Sequence, residues 1–279
     1  MPSGKRAKQQ RREAATAVKA PPPVRSKGVG ARPRRASGRV IGIAGGIVVL
    51  AVIGIALAFA FAGGSSGGVP KGTPTYGSVG ANSLPGAAEI KALYKGIPQH
   101  GLTLGQASAP VQMVMFIDLQ CPVCQNFEVT ALPTVVQQYI RTGKVRLDLK
   151  PWAFIGNDSY RGRLATIAAS FQNKAYGFAG VLYDNQGEEN SGWLTDSMIA
   201  QIATSVPGLN VYKLFSDRNS ARAKSIASQV DTLATADKVT GTPTILVGKA
   251  GGKLKDVATP GNAPTLNDVT TAIDNALAS

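Results

Sequence analysis

Residues 111–127 read VQMVMFIDLQCPVCQNF, and this stretch decides the fold. Val111–Leu119 is nearly continuously apolar, the pattern of a strand covered on both faces. It stops at a Cys-Pro-Val-Cys turn, after which NFEVTALPTVVQQYIRTG has helical spacing: Phe127, Leu132, Val135, Val136, Tyr139 and Ile140 fall on one side. Gly143 suits a helix end, and Pro133 predicts a kink or a split inside the pattern. Next, VRLDLK alternates Val145, Leu147 and Leu149 with polar residues, a strand with one buried face. Strand, helix and strand in this order form a βαβ unit, which favours a parallel pair.

Cys121 and Cys124 are the only cysteines among 279 residues, and His100 is the only histidine. Two thiols and one imidazole cannot fill the four ligand positions of a usual structural zinc site, so no metal is expected. A purely stabilising disulfide is a poor alternative, because closing so short a loop removes little entropy from the unfolded chain. A redox-active dithiol remains. Its chemistry needs a thiolate that can attack or be attacked, and a second sulfur within bonding reach. A C-x-x-C that opens a helix supplies both, since unpaired backbone N–H groups and the helix dipole favour negative charge on the first cysteine. Pro122 at the first helical position costs nothing there, because its missing N–H would be unpaired anyway.

Charge and hydropathy divide the chain. Residues 1–39 carry twelve Lys/Arg against one acid, Glu13, out of a net charge of +14. The basicity therefore belongs to a tail rich in Ala, Pro and Gly, expected to be disordered, and is no sign of a nucleic-acid partner. Residues 40–62 are twenty-three uncharged, apolar residues. As a helix they would reach ~35 Å, enough for a hydrocarbon core of ~30 Å. Arginines 32, 34, 35 and 39 precede this segment and the next base is Lys71. That asymmetry places the amino terminus in the cytoplasm and the remainder outside. Ala60-Phe61-Ala62 has the form of a cleavage site, but the apolar run exceeds the 7–15 residues of a signal peptide, so an uncleaved anchor is expected. Residues 63–86, rich in Gly, Ser, Pro and Thr, read as a flexible linker.

Beyond the linker, residues 87–279 hold the folded domain. A short amphipathic helix is predicted at Ala87–Lys95, then a short strand or extended arm carrying His100. Residues from about 158 to 238 form a helical block. Thr242–Gly248 restores a strand, Gly251-Gly252 suggests a hairpin, and Leu266–Leu277 closes the chain as a helix. No dedicated dimerisation pattern is present, and a monomer is expected. The fold class is α/β.

The run IPQHGLTLGQASAPVQMVMFIDLQCPVCQNF, followed by the helical block and by GTPTILV, resembles the DsbA-like branch of the thioredoxin superfamily across about residues 96–278. The resemblance implies a thioredoxin-like fold with an inserted helical block. It implies that Cys121 is the exposed nucleophile, Cys124 its partly buried partner, and Pro243 a cis-proline whose preceding residue, Thr242, pairs with an extended substrate. No cofactor is implied. The implied activity is oxidation of cysteine pairs in secreted polypeptides, with reoxidation by a membrane partner similar to DsbB or to a vitamin K epoxide reductase. One departure bears on direction: Val123 stands where strongly oxidising members carry histidine, so a reductase or isomerase fed by a membrane electron donor stays open, as does a noncatalytic binding module. Asp118 reads either as a proton relay for Cys124 or as a surface acid at a strand end. His100 reads as a surface residue; Glu128, Trp152 and Tyr160 have no role on sequence grounds.

Overall fold

The computed structural model describes residues 68–258 and 262–279. The basic tail 1–39, the apolar segment 40–62 and the first residues of the linker lie outside them. Among the described residues no helix is long and apolar enough to cross a membrane.

The element order is α1 (Ala87–Tyr94), β1 (Gln99–His100), β2 (Thr103–Leu104), β3 (Val111–Ile117), α2 (Pro122–Thr130), α3 (Leu132–Val135), a π-helical turn (Val136–Ile140) and β4 (Val145–Pro151). Five helices follow: α4 (Asn157–Ser170), α5 (Ala175–Asp184), α6 (Asp196–Thr204), α7 (Val211–Arg218) and α8 (Ala221–Ala236). The chain closes with β5 (Thr244–Lys249), β6 (Lys255–Asp256) and α9 (Leu266–Ala278). Pro133 falls at the split between α2 and α3, where it lacks the N–H that a continuous helix would use.

The six strands form one sheet in the order β1-β2-β4-β3-β5-β6. β3 pairs in parallel with β4, from Val111 opposite Val145 to Ile117 opposite Pro151. It pairs antiparallel with β5 on its other side, with Phe116 opposite Thr244. β3 is thus central, and its continuous apolar run has a simple cause. Val111, Met113, Met115 and Ile117 pack into the main core, which includes buried residues of α2, α5 and α9. Val114 and Phe116 point to the opposite face, against Val230 and Ala234 of α8 and Leu246. The helical block shares the main core through Tyr176, Phe178, Leu182 and Ile202, so it is continuous with the sheet rather than a separate lobe.

The described part of the predicted linker is not free chain. Thr75 accepts a hydrogen bond from Val211 N, Gly77 N donates to Leu209 O and accepts from Gly208 N, and Ser78 N donates to Thr204 O. Residues 75–78 therefore lie as a strap along the α6–α7 connection. Gly77 is needed there, because a Cβ would stand 2.1 Å from the Val206 carbonyl oxygen. The Gly/Pro/Thr composition that suggested flexibility instead permits this close approach of two backbones.

Candidate functional site

The carboxyl end of β3 delivers the chain to the dithiol. Cys121 is the N-cap of α2, in extended conformation (φ −73°, ψ 120°), and Pro122 opens the helix. The backbone N–H groups of Val123 and Cys124 consequently face the Cys121 sulfur. Both cysteines are thiols in the structure. Cys121 is 6 % exposed and Cys124 fully buried. The resemblance implied a more open nucleophile; the covering element is the segment before β5, whose Thr242 carbonyl lies 3.4 Å from Cys121 Sγ. The Thr242–Pro243 peptide is cis, as the resemblance implied.

The two thiols differ sharply. The Cys121 thiol is lowered to about 6, first by a hydrogen bond from Cys124, then by neighbouring Thr242 and by the N–H groups of Cys124 and Val123, all acting against its partial burial. Burial pushes the Cys124 thiol well up, and the neighbouring Cys121 adds to that effect. At neutral pH the pair therefore carries a thiolate on Cys121 and a proton on Cys124. That is the asymmetry thiol–disulfide exchange uses, since a low-pKa sulfur is the better leaving group.

Asp118 is wholly buried, contrary to the surface reading. Its carboxylate accepts from Gln120 N at 3.1 Å, Phe154 N at 3.1 Å and Ile155 N at 3.3 Å, tying the turn to the loop after β4. Gln120, next to Cys121 and also buried, donates its amide to Ser159 Oγ at 2.8 Å and accepts from Asn190 N at 2.8 Å. Gly156 leaves room for this exchange: a Cβ there would sit 2.1 Å from Asn190 Oδ1. Glu128, one turn beyond Cys124, is buried and pushed up to about 8 by desolvation, with Asp184 nearby adding to the effect. Tyr183 donates its hydroxyl to the Asp118 carbonyl at 2.9 Å. His100 lies exposed on the outermost strand, with β2 and β4 between it and β3, and takes no part. Trp152 stacks on the exposed Phe154 with centroids 4.6 Å apart. Tyr160, also exposed, stands under the Arg163 guanidinium.

The sequence reading missed Gln120 and Glu128 as buried groups. Glu128 had a usable signal, since it falls between Cys124 and Leu132 at four-residue steps, on the buried stripe of the helix pattern.

A family model described as Thioredoxin matches residues 99–274. The chain belongs to the thioredoxin family. Within that family it is DsbA-like. A probable disulfide bond formation protein D of Bacillus cereus is 34 % identical over 148 residues, which cover 52 % of this chain and 68 % of that protein. The disulfide bond formation protein D of Bacillus subtilis is 27 % identical over 152 residues, 52 % of this chain and 66 % of that one. Among solved structures, oxidised BdbD from Bacillus subtilis shares the thioredoxin fold with a TM-score of 0.57 at 22 % identity, over 64 % of this chain and 94 % of that one. DsbA from Chlamydia trachomatis does so with a TM-score of 0.53 at 21 % identity, over 64 % and 92 %.

Proposed function

We propose that this chain oxidises cysteine pairs of polypeptides outside the cytoplasm through a Cys121–Cys124 disulfide. The chain is a thiol–disulfide oxidoreductase, and the observation that carries its working direction is the split between the two thiols. A substrate thiolate attacks Cys121 Sγ, and the Cys124 sulfur leaves as a thiolate that takes up a proton in its buried site. A second substrate thiolate then attacks the substrate sulfur of the mixed disulfide. Cys121 leaves as the thiolate that the N-terminus of α2 stabilises. Two electrons pass to the enzyme for each disulfide formed. Thr242 and Pro243 offer the backbone against which an extended substrate pairs, and exposed Val123 and Phe154 supply apolar contact beside it.

Residues 40–62 anchor the protein in the membrane, with residues 1–39 held at the anionic inner leaflet. The domain then works on secreted polypeptides and is reoxidised by a membrane-bound partner of the DsbB or vitamin K epoxide reductase kind. In support stand the apolar length and the charge asymmetry of the first seventy residues.

The decisive test is exchange by the oxidised full-length protein with a reduced, unfolded disulfide protein. Disulfide formation that is lost in Cys121→Ser supports the reading; equal behaviour of wild type and Cys121→Ser ends it. Absence of histidine at Val123 favours the reductase alternative, and trapping thiols in growing cells separates the two. A mostly oxidised pair fits an oxidase, a mostly reduced pair the alternative. Recovery of the full-length mass in the membrane fraction tests the anchor.

A further inference from the structure

The connection between α5 and α6 reaches across to the dithiol turn and touches it through side-chain amides. Gln186 Nε2 donates to the Leu119 carbonyl at 3.2 Å and lies 3.5 Å from the Cys121 carbonyl. Its chain neighbours are held in place: Asn190 exchanges hydrogen bonds with Gln120, and Trp193 packs so closely on Gly187 that a Cβ there would meet the indole at 2.5 Å. From the other side, Gln125 in the first turn of α2 donates to the Tyr183 carbonyl at 2.8 Å. The helical block therefore satisfies the carbonyls of the active turn with donors drawn from residues some 65 positions away.

A carbonyl oxygen carries partial negative charge. The Cys121 carbonyl also accepts Gln125 N, but without Gln186 the Leu119 carbonyl loses its donor two residues from Cys121, which raises the energy of a thiolate there. A donated N–H offsets that charge. We infer that Gln186 is a positioning residue for the dithiol, a neutral donor from the helical block that fixes the carbonyls flanking Gln120 and holds the Cys121 thiolate at low energy. The inference rests on Cys121 being the nucleophile. It gives the inserted block a part in setting the redox behaviour of a turn to which it contributes no sulfur.

The test is a charge series in the full-length protein: Gln186→Met, which keeps the stem and removes the donor, Gln186→Glu and Gln186→Lys. Each reduced variant is alkylated with iodoacetamide across pH, equilibrated with glutathione buffers, and melted. Below the Cys121 titration midpoint the rate follows the thiolate fraction. There Gln186→Met is expected to slow about threefold, the scale of a dipole acting on a nearby charge. Gln186→Glu slows further, and Gln186→Lys returns to the wild-type rate or exceeds it, with the reduction potentials in the same order. Gln186→Met and Gln186→Glu both lose the donor, so a merely structural role would lower their melting temperatures without separating their midpoints by charge. Equal midpoints and potentials across the series overturn the inference. A wild-type protein without a low Cys121 midpoint overturns the reading of Cys121 itself, and it does so before any variant is made.

Discussion

Replacing Val123 by histidine tests what holds the Cys121 thiolate. Val123 is in the first turn of α2, 44 % exposed, with its N–H already directed at the sulfur. Its side chain adds no charge, so the lowering to about 6 comes from the Cys124 thiol, neighbouring Thr242 and backbone donors. A cation within 4–6 Å of an anion lowers its pKa by roughly 1–3 units, and about 1.5 is reasonable for a half-exposed side chain. At pH 7 a thiol titrating at about 6 is already largely thiolate, so nearly the whole shift appears as added preference for the reduced form. At about 30 mV per tenfold change for two electrons, the potential rises by ~40 mV and the protein becomes the stronger oxidant. The assay is equilibration with glutathione buffers at pH 7, paired with the pH dependence of alkylation. Val123→Leu serves as the control and is expected to move the potential by under ~10 mV. A Val123→His potential unchanged, or more reducing than wild type, would refute the argument that the charge at this helix terminus sets the redox poise.

Three further outcomes follow from the same geometry. Alkylation of the reduced wild-type protein should titrate with a midpoint of about 6 at Cys121 while Cys124 stays unmodified, read by mass spectrometry of the labelled peptides. Glu128 is raised from 4.5 to about 8, so the folded state holds its proton more tightly than the unfolded one. Its contribution is fully present below pH 4.5 and is lost as pH rises through about 8. Glu128→Gln should thus be more stable than wild type by on the order of 3 kcal/mol at pH 8.5, with the gap closing towards pH 5 in urea titrations; a constant gap would contradict this. Gly77→Val should push the strap off the α6–α7 connection, costing roughly 2 kcal/mol. It should open residues 73–79 to limited proteolysis while dithiol exchange persists.

The parts of the fold legible in the sequence were those governed by local periodicity. The apolar run of β3, the alternation of β4 and the Cys-Pro turn between them each report their environment within a few residues. Pro133 marked the split between α2 and α3 for the same reason. Thr242 and Pro243 carry no local sign of standing beside Cys121, and only the resemblance brought them together. Asp118 and Gln120 were opaque for a related reason: polar residues at a strand end have the same composition whether solvated or satisfied by distant partners. Here the partners are Phe154, Ile155, Ser159 and Asn190, between 36 and 70 positions away. The strap was misread because Gly, Pro and Thr serve flexible chain and tight backbone contact equally well.

That strap also decides where mechanical load enters the molecule. A pull from the amino-terminal side meets Val69 packed on the main core, then the Tyr212 hydroxyl on the Thr73 carbonyl, then the ladder that Thr75, Gly77 and Ser78 make with the α6–α7 connection. Through the ladder it passes into the helical block, since every one of those bonds ends between Thr204 and Val211. Tension at the amino-terminal end of the described chain would load these contacts before it reached α1.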